Sequence, residues 1–290
     1  MLGTNGDTRA RARCNFTIKG LACAALLACA APIWALPTLS SEQPEAGPAM
    51  WAISDEDTTI FLFGTFHALD SDTGWFSNIV RAAFDRSDEL VLETVVPDSP
   101  EQLLASLSRH SLASEPQVGQ SVVPQGSGGS FAASSRQAMS AGRGVGMNVD
   151  DGADAVLRRA ADSAGKPVDG LESFEFQLAM FTSLPSPHSA GGKDAASPEK
   201  YALVMQDMKA AWKRGDPARF AAVLGTMEQQ SPETYRRLFA DRNTRWAEWV
   251  ARRMNRPGVV FVAVGTGHLI GRDSVQQRLT ERGFKAFRVS

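Results

Sequence analysis

Two stretches of the chain run four apolar residues into Gly-Thr-x-His. The first is Ile60-Phe61-Leu62-Phe63-Gly64-Thr65-Phe66-His67, and the second is Phe261-Val262-Ala263-Val264-Gly265-Thr266-Gly267-His268. The chain has only 4 histidines, and this pattern claims two of them. Imidazole does chemistry near neutral pH, as metal ligand, general base or electrophile. Glu93 ends another short apolar run, Glu89–Glu93. Two imidazoles and a carboxylate are a common set for a divalent metal ion with one position left open for water. Such an ion lowers the pKa of its water to roughly 7, which makes hydroxide available near neutrality. The same histidines could instead act without metal, as base and electrophile.

A lone histidine after a strand is ordinarily a hydrogen-bonded structural residue. Two copies at matched strand ends point instead to a site, provided the fold brings them together. Each copy lies where an apolar run ends and a helical pattern follows. In open α/β sheets, ligands bind outside the carboxyl ends of the strands. Gly64 and Gly265 would let the backbone turn there or approach a ligand closely. If the three strands run parallel and adjacent, His67, Glu93 and His268 share one rim.

The remaining pattern supplies that frame. Met50–Ser54 and Thr58–Phe63 flank Asp55-Glu56-Asp57 and read as a hairpin. Helical spacing over Phe76–Arg86 and the strand Glu89–Glu93 complete a strand, helix, strand unit, which favours a right-handed parallel crossover. Residues 114–148 are dense in Ser, Gly, Gln and Ala and are expected to form a flexible loop. Ala153–Ala164 is predicted helical, stopped by Gly165-Lys166-Pro167, with a strand at Val168–Glu172 and a helix at Phe174–Phe181. A second Pro/Ser/Gly loop spans 182–200. A helical insertion follows over 201–256, broken at Gly215-Asp216-Pro217 and Ser231-Pro232, each read as a cap with proline at the first helical position. Strand Val259–Val264, helix Ser274–Arg282 with a terminal Gly283, and strand Phe284–Val289 close the chain. The fold class expected is α/β, with a central sheet built from both ends of the chain and a helical insertion in the middle.

Composition narrows the function classes. Hydrophobic residues are 43% and charged residues 21%, near the globular average, which excludes wholesale disorder. The net charge is -2, with no block of about five like charges, so a nucleic-acid partner has no electrostatic footprint. Residues 1–35 have the layout of a secretory signal. Arg9, Arg11, Arg13 and Lys19 precede the uncharged run Leu21–Ala31, and small Ala35 suits cleavage before Leu36. That run is too short for a spanning helix, which needs about 20 residues. An exported, periplasmic protein is expected. Leu26-Leu27-Ala28-Cys29 allows a second reading, a lipoprotein with Cys29 as its first residue. Cys14, Cys23 and Cys29 are the only cysteines, so cleavage at Ala35 would leave no thiol for catalysis or disulfides. No G-x-S-x-G or P-loop is present.

With these residues in view, the chain resembles the TraB/GumN family, part of the group that includes the Tiki metalloproteases. The resemblance runs through 51–69, 90–94, 166–177, 211–216, 242–250 and 261–289. It implies a domain over 36–290 and a metal-dependent hydrolase, with peptide bonds as its expected target. It implicates Gly64, His67, Glu93, Gly265 and His268, with His67, Glu93 and His268 as ligands of a divalent metal ion. The family's Leu-Glu and Arg-Asn stretches map to Glu172, Arg242 and Asn243, and Arg242 would hold a substrate carboxylate. A non-catalytic ligand-binding or envelope and polysaccharide-assembly role on the same fold is the alternative. Leu103–Asn148, low in complexity where regular helical segments are expected, departs from the family pattern. Glu172 could be a further acid or metal ligand, or equally a first-turn helix carboxylate near Ser173. Trp212, Trp246 and Trp249 are expected to pack, and His110 and His188 to be solvated.

Overall fold

The acidic triplet turns the chain as its composition demands. Asp55 Oδ1 accepts the backbone N–H groups of Asp57 and Thr58, so the turn satisfies its own donors. Strands β1 (Met50–Ser54) and β2 (Thr58–Thr65) pair antiparallel across it. The computed structural model describes residues 47–76, 78–97, 99–111, 140–184 and 197–290. The expected signal peptide, most of the loop 114–148 and residues 185–196 lie outside the described residues.

Helix α1 (Asn78–Arg86) leads to β3 (Glu89–Thr94) and α2 (Pro100–Ser111). Next come α3 (Ala153–Ala164), β4 (Val168–Glu172) and α4 (Phe174–Ser183). Gly165 ends α3 at φ 65, a left-handed backbone that glycine adopts without a Cβ clash. Helices α5 (Pro198–Lys213), α6 (Ala218–Gln230) and α7 (Pro232–Tyr235) follow, then a π-helical turn (Arg236–Ala240) that runs into α8 (Asp241–Arg253). Strand β5 (Gly258–Gly265), a 3-10 turn (Thr266–Leu269), α9 (Val275–Thr280) and β6 (Phe287–Arg288) complete the chain.

The sheet order is β4-β3-β5-β2-β1-β6. Strands β4, β3, β5 and β2 are parallel, and β1 is antiparallel to both of its neighbours. Both ends of the chain thus build the sheet, as the pattern predicts. Apolar alternation sorts the two faces. Phe61, Phe63, Leu90 and Phe261 pack on one side with α1, α3 and Trp212 of α5. Ile60, Leu62, Val91, Val260 and Val262 pack on the other with α8 and α9. Layers on both faces explain why β5 is a continuous apolar run. Among the described residues, no helix is long and apolar enough to cross a membrane.

Several boundaries differ from the pattern. Thr182 and Ser183 finish α4, and α5 starts at Pro198, capped by Ser197, so the second loop is shorter than 182–200. Residues 140–148 close the low-complexity stretch in ordered form, with Met147 buried and Asn148 bridged to Leu69. Pro217 is the cap residue of α6 rather than its first helical one, and the Asp216 carboxylate accepts the Ala218 N–H. The last strand keeps only Phe287–Arg288 of the expected Phe284–Val289.

Candidate functional site

Parallel register decides the first question. β2 and β5 pair with Gly64 opposite Val264 and Thr65 opposite Gly265, so both Gly-Thr-x-His loops leave the same sheet edge side by side. β3 flanks β5 on its other side, pairing Leu92 with Ala263, and delivers Glu93 to that edge. The glycines make this close approach possible. A Cβ on Gly64 would stand 2.9 Å from Thr266 Oγ1 of the other loop. A Cβ on Gly265 would stand 3.1 Å from His67 Nε2 and 3.4 Å from Glu93 Oε2, filling the space between them. The loops are further tied by the Thr266 hydroxyl, which donates to the Thr65 carbonyl at 2.8 Å. Trp212 of α5 donates to the Gly64 carbonyl at 2.8 Å.

Each imidazole is held through Nδ1. His67 Nδ1 lies 2.7 Å from Asp154 Oδ2 in the first turn of α3, and Thr65 donates to the other Asp154 oxygen at 2.9 Å. His268 Nδ1 lies 2.6 Å from Asn243 Oδ1, and Asn243 in turn donates to the Asp273 carbonyl. Partners at Nδ1 orient the rings and leave each Nε2 turned inward, as outer partners do for metal-bound histidines. The His268 ring packs tilted against Trp246 and Phe239, with centroids 4.3 Å and 4.9 Å away.

Glu93 is the hub. Its Oε2 accepts the Gly265 N–H at 3.1 Å and lies 4.0 Å from His268 Nε2. Its Oε1 accepts Gln177 at 3.0 Å and also accepts Arg242 Nη2. Arg242 spans the cluster: Nε donates to both Glu172 oxygens, Nη1 donates to the Leu238 carbonyl, and Nη1 lies 3.3 Å from His268 Nε2. Arg245 adds a 3.2 Å contact to Glu172 from the surface.

The charges set the protonation states. Burial alone would raise Glu93, but the Arg242 guanidinium, with the charge on His67, overcomes it and holds its carboxyl below the usual range. Burial pushes His268 down to about 3 against the pull of Glu93, so it is neutral. The Asp154 charge pushes His67 up to about 9 in the face of burial. That ring lies deep among protein atoms yet keeps 58% of its side-chain surface open to the cavity, where solvent screens part of the attraction.

A cavity of about 580 Å³ stands over this cluster, lined at its floor by Thr65, His67, Glu93, Arg242, Thr266 and His268. Its walls come from α4, α5, α6 and the π turn, with Phe181, Met205, Met227 and Phe239 among them.

The expected residues His67, Glu93, His268, Arg242, Gly64 and Gly265 thus meet at one sheet edge. His268 is buried, with only 4% of it exposed. One expectation needs correction. Arg242 is not a free fork for substrate, because Glu93, Glu172 and Leu238 already take its donors. Glu172 holds Arg242 rather than facing the cavity, and Glu175 turns to Ser106 and Arg109 of α2. Trp212 and Trp246 are fully buried, and Trp249 is half-buried. His188 and the His110 side chain lie outside the described residues. Asp154, Gln177 and Trp212 escape the pattern reading as site residues. Asp154 stands 87 positions from His67, and no local spacing links them.

The two imidazoles and the carboxylate fit a divalent ion in donor type, and Gly265 leaves the space between them open. Among the described residues they are not gathered as a ready-made cage, since Arg242 stands against Glu93 and His268.

A family model described as the TraB/PrgY/gumN family matches residues 49–127 and 128–288. Two curated relatives, each called "Uncharacterized protein YbaP", come from Escherichia coli (strain K12) and Shigella flexneri. Each is 32% identical over 136 residues, 47% of this chain and 50% of the relative. The chain therefore spans about half the length of the curated relatives it matches. No solved structure matches.

Proposed function

Because the chain belongs to the TraB/PrgY/gumN family, we propose that it is an exported, metal-dependent hydrolase of carbonyl compounds, peptides included. Its site is the cavity floor. The observation that carries this reading is the pair of anchored imidazoles. Asp154 and Asn243 take the two Nδ1 positions, which turns both Nε2 atoms toward Glu93. His67 Nε2, His268 Nε2 and Glu93 Oε2 would hold the ion. When bound there, it would polarise a carbonyl and acidify a water.

The chain's own groups do the rest. Glu93 and Glu172 face one buried guanidinium, Arg242, with Arg245 assisting from the surface, and Asp154 pairs with His67. Arg242 keeps Glu93 ionised and fixes its direction, and Gln177 and the Gly265 N–H share that task. With a substrate filling the cavity, the apolar walls would exclude water and strengthen the electrostatics at the floor. A second reading, a non-catalytic binding protein, draws on Arg242, which satisfies Glu93 with no ion present.

Metal content after mild purification separates the two. About one divalent ion per chain is expected, lost in His67→Ala while circular dichroism stays native. No ion, and no uptake of zinc or manganese by chelator-treated protein, would remove the hydrolase reading. Export rests on Arg9, Arg11, Arg13, the apolar run and Ala35. Mass spectrometry of the periplasmic protein should find a start near Leu36, or a lipidated Cys29. An intact Met1 in the cytoplasm would refute it.

A further inference from the structure

We infer that the cavity receives the hydrocarbon chain of an acyl ester or amide, with the carbonyl at the floor, rather than a peptide backbone. This rests on the hydrolase reading only for the placement of the carbonyl. Binding of the chain itself needs no turnover.

The distribution of polarity carries the inference. Every polar side chain lining the cavity, among the described residues, belongs to the floor: Thr65, His67, Glu93, Arg242, Thr266 and His268. The walls are Phe66, Phe181, Met205, Met208, Met227 and Phe239 with further apolar neighbours. Most of these stand on α4, α5, α6 and the π turn, whose backbone N–H and C=O groups are spent within the helices. A peptide entering here would bring a donor and an acceptor with every residue. Each one buried without a partner costs about 1–3 kcal/mol. A hydrocarbon chain brings none.

Size and texture agree. The volume of about 580 Å³ lies within the roughly 300–1,000 Å³ of pockets that enclose small ligands. Three of the wall residues are methionines, unbranched and adaptable, which suit a flexible chain better than a fixed ring. At the outer part of the wall Val223 is 37% exposed, an apolar group kept partly in water where a tail would cover it. Hydrolysis there would place the oxygen of water on the acyl carbon. It would break the bond from that carbon to the alcohol oxygen or amine nitrogen, and return a proton to the leaving atom.

The test is a binding series with fatty acids from octanoate to palmitate, read by displacement of a dansylated undecanoate. Affinity should rise about fourfold per added methylene until the cavity is filled, the factor expected from burying a methylene. An N-acetylated, C-amidated peptide of leucine and valine should compete far more weakly than palmitate. Val223→Trp sits at a half-exposed position that tolerates a larger side chain. It should cut palmitate affinity about tenfold and leave octanoate nearly unchanged, with circular dichroism native. A series flat in chain length, or a peptide that matches palmitate, would overturn the inference. So would a Val223→Trp effect equal for both acids. A rising series with no hydrolysis of acyl esters or amides would retain the chain site and remove the hydrolase. Peptide hydrolysis with a flat series would do the reverse.

Discussion

The two Gly-Thr-x-His loops have the same sequence signature and opposite surroundings. The first leaves β2 and opens His67 to the cavity, with Asp154 charging it from behind. The second leaves β5 and seals His268 between Trp246 and Phe239, against a neutral partner, Asn243. One ring is held positive and the other neutral at pH 7. A motif therefore specifies where an imidazole stands, while its neighbours specify what that imidazole is.

The largest perturbation of this contrast removes the group common to both halves. Arg242→Ala would leave Glu93 buried without its guanidinium and Glu172 with only Arg245 at the surface. Breaking a buried pair in this way costs about 3–5 kcal/mol, which urea denaturation should read as a large drop in midpoint. A near-neutral result would mean that the carboxylates are hydrated, and the ion-pair account of the hub would fall.

Next come the histidines themselves. His268→Ala strands Asn243 Oδ1 and leaves a void against Trp246, and should cost about 3 kcal/mol. His67→Ala removes a half-exposed ring and should stay within about 1 kcal/mol. Equal losses from the two variants would erase the comparison.

The glycines sharpen it at a smaller scale. Gly64→Ala pushes against Thr266, including its backbone Cα at 3.3 Å, so about 1–3 kcal/mol of overpacking is expected. Gly265→Ala meets only side-chain tips in the site. It should unfold near the wild-type temperature and yet lose divalent-ion uptake in calorimetric titration.

The smallest effect is pH dependence in the metal-free protein, and the two loops give it opposite signs. His67 is raised, so its stabilisation is complete below its unfolded value of 6.5 and is lost as pH rises toward about 9. His268 is lowered, so its contribution is lost as pH falls from 6.5 toward about 3. From these two groups, stability should fall on both sides of about pH 6.5. Asp154→Asn should flatten the alkaline limb only, and proton NMR of the histidine Cε1–H signals should assign each limb. A single shared titration would sink the distinction.

Much of the frame is legible in the chain, because its signals are local. The apolar runs 60–63 and 261–264, the acidic turn at 55–57 and the stop at Gly165 each depend on neighbours a few positions away. The convergence of His67, Glu93 and His268 follows once the strands are taken as parallel. The cavity walls on α4, α5 and α6 are less legible, because helical periodicity marks an apolar face without saying what it faces.

The sequence by itself determined the sheet strands and the placement of two histidines and a glutamate at strand ends, since alternation and strand length are properties of contiguous residues. Only the tertiary structure decided that β5 inserts between β3 and β2, that Asp154 and Asn243 take the two Nδ1 positions, and that Arg242 is spent on two glutamates. Those contacts join residues far apart in the chain. Their energies depend on burial and on the charges that meet there, quantities that no local spacing carries.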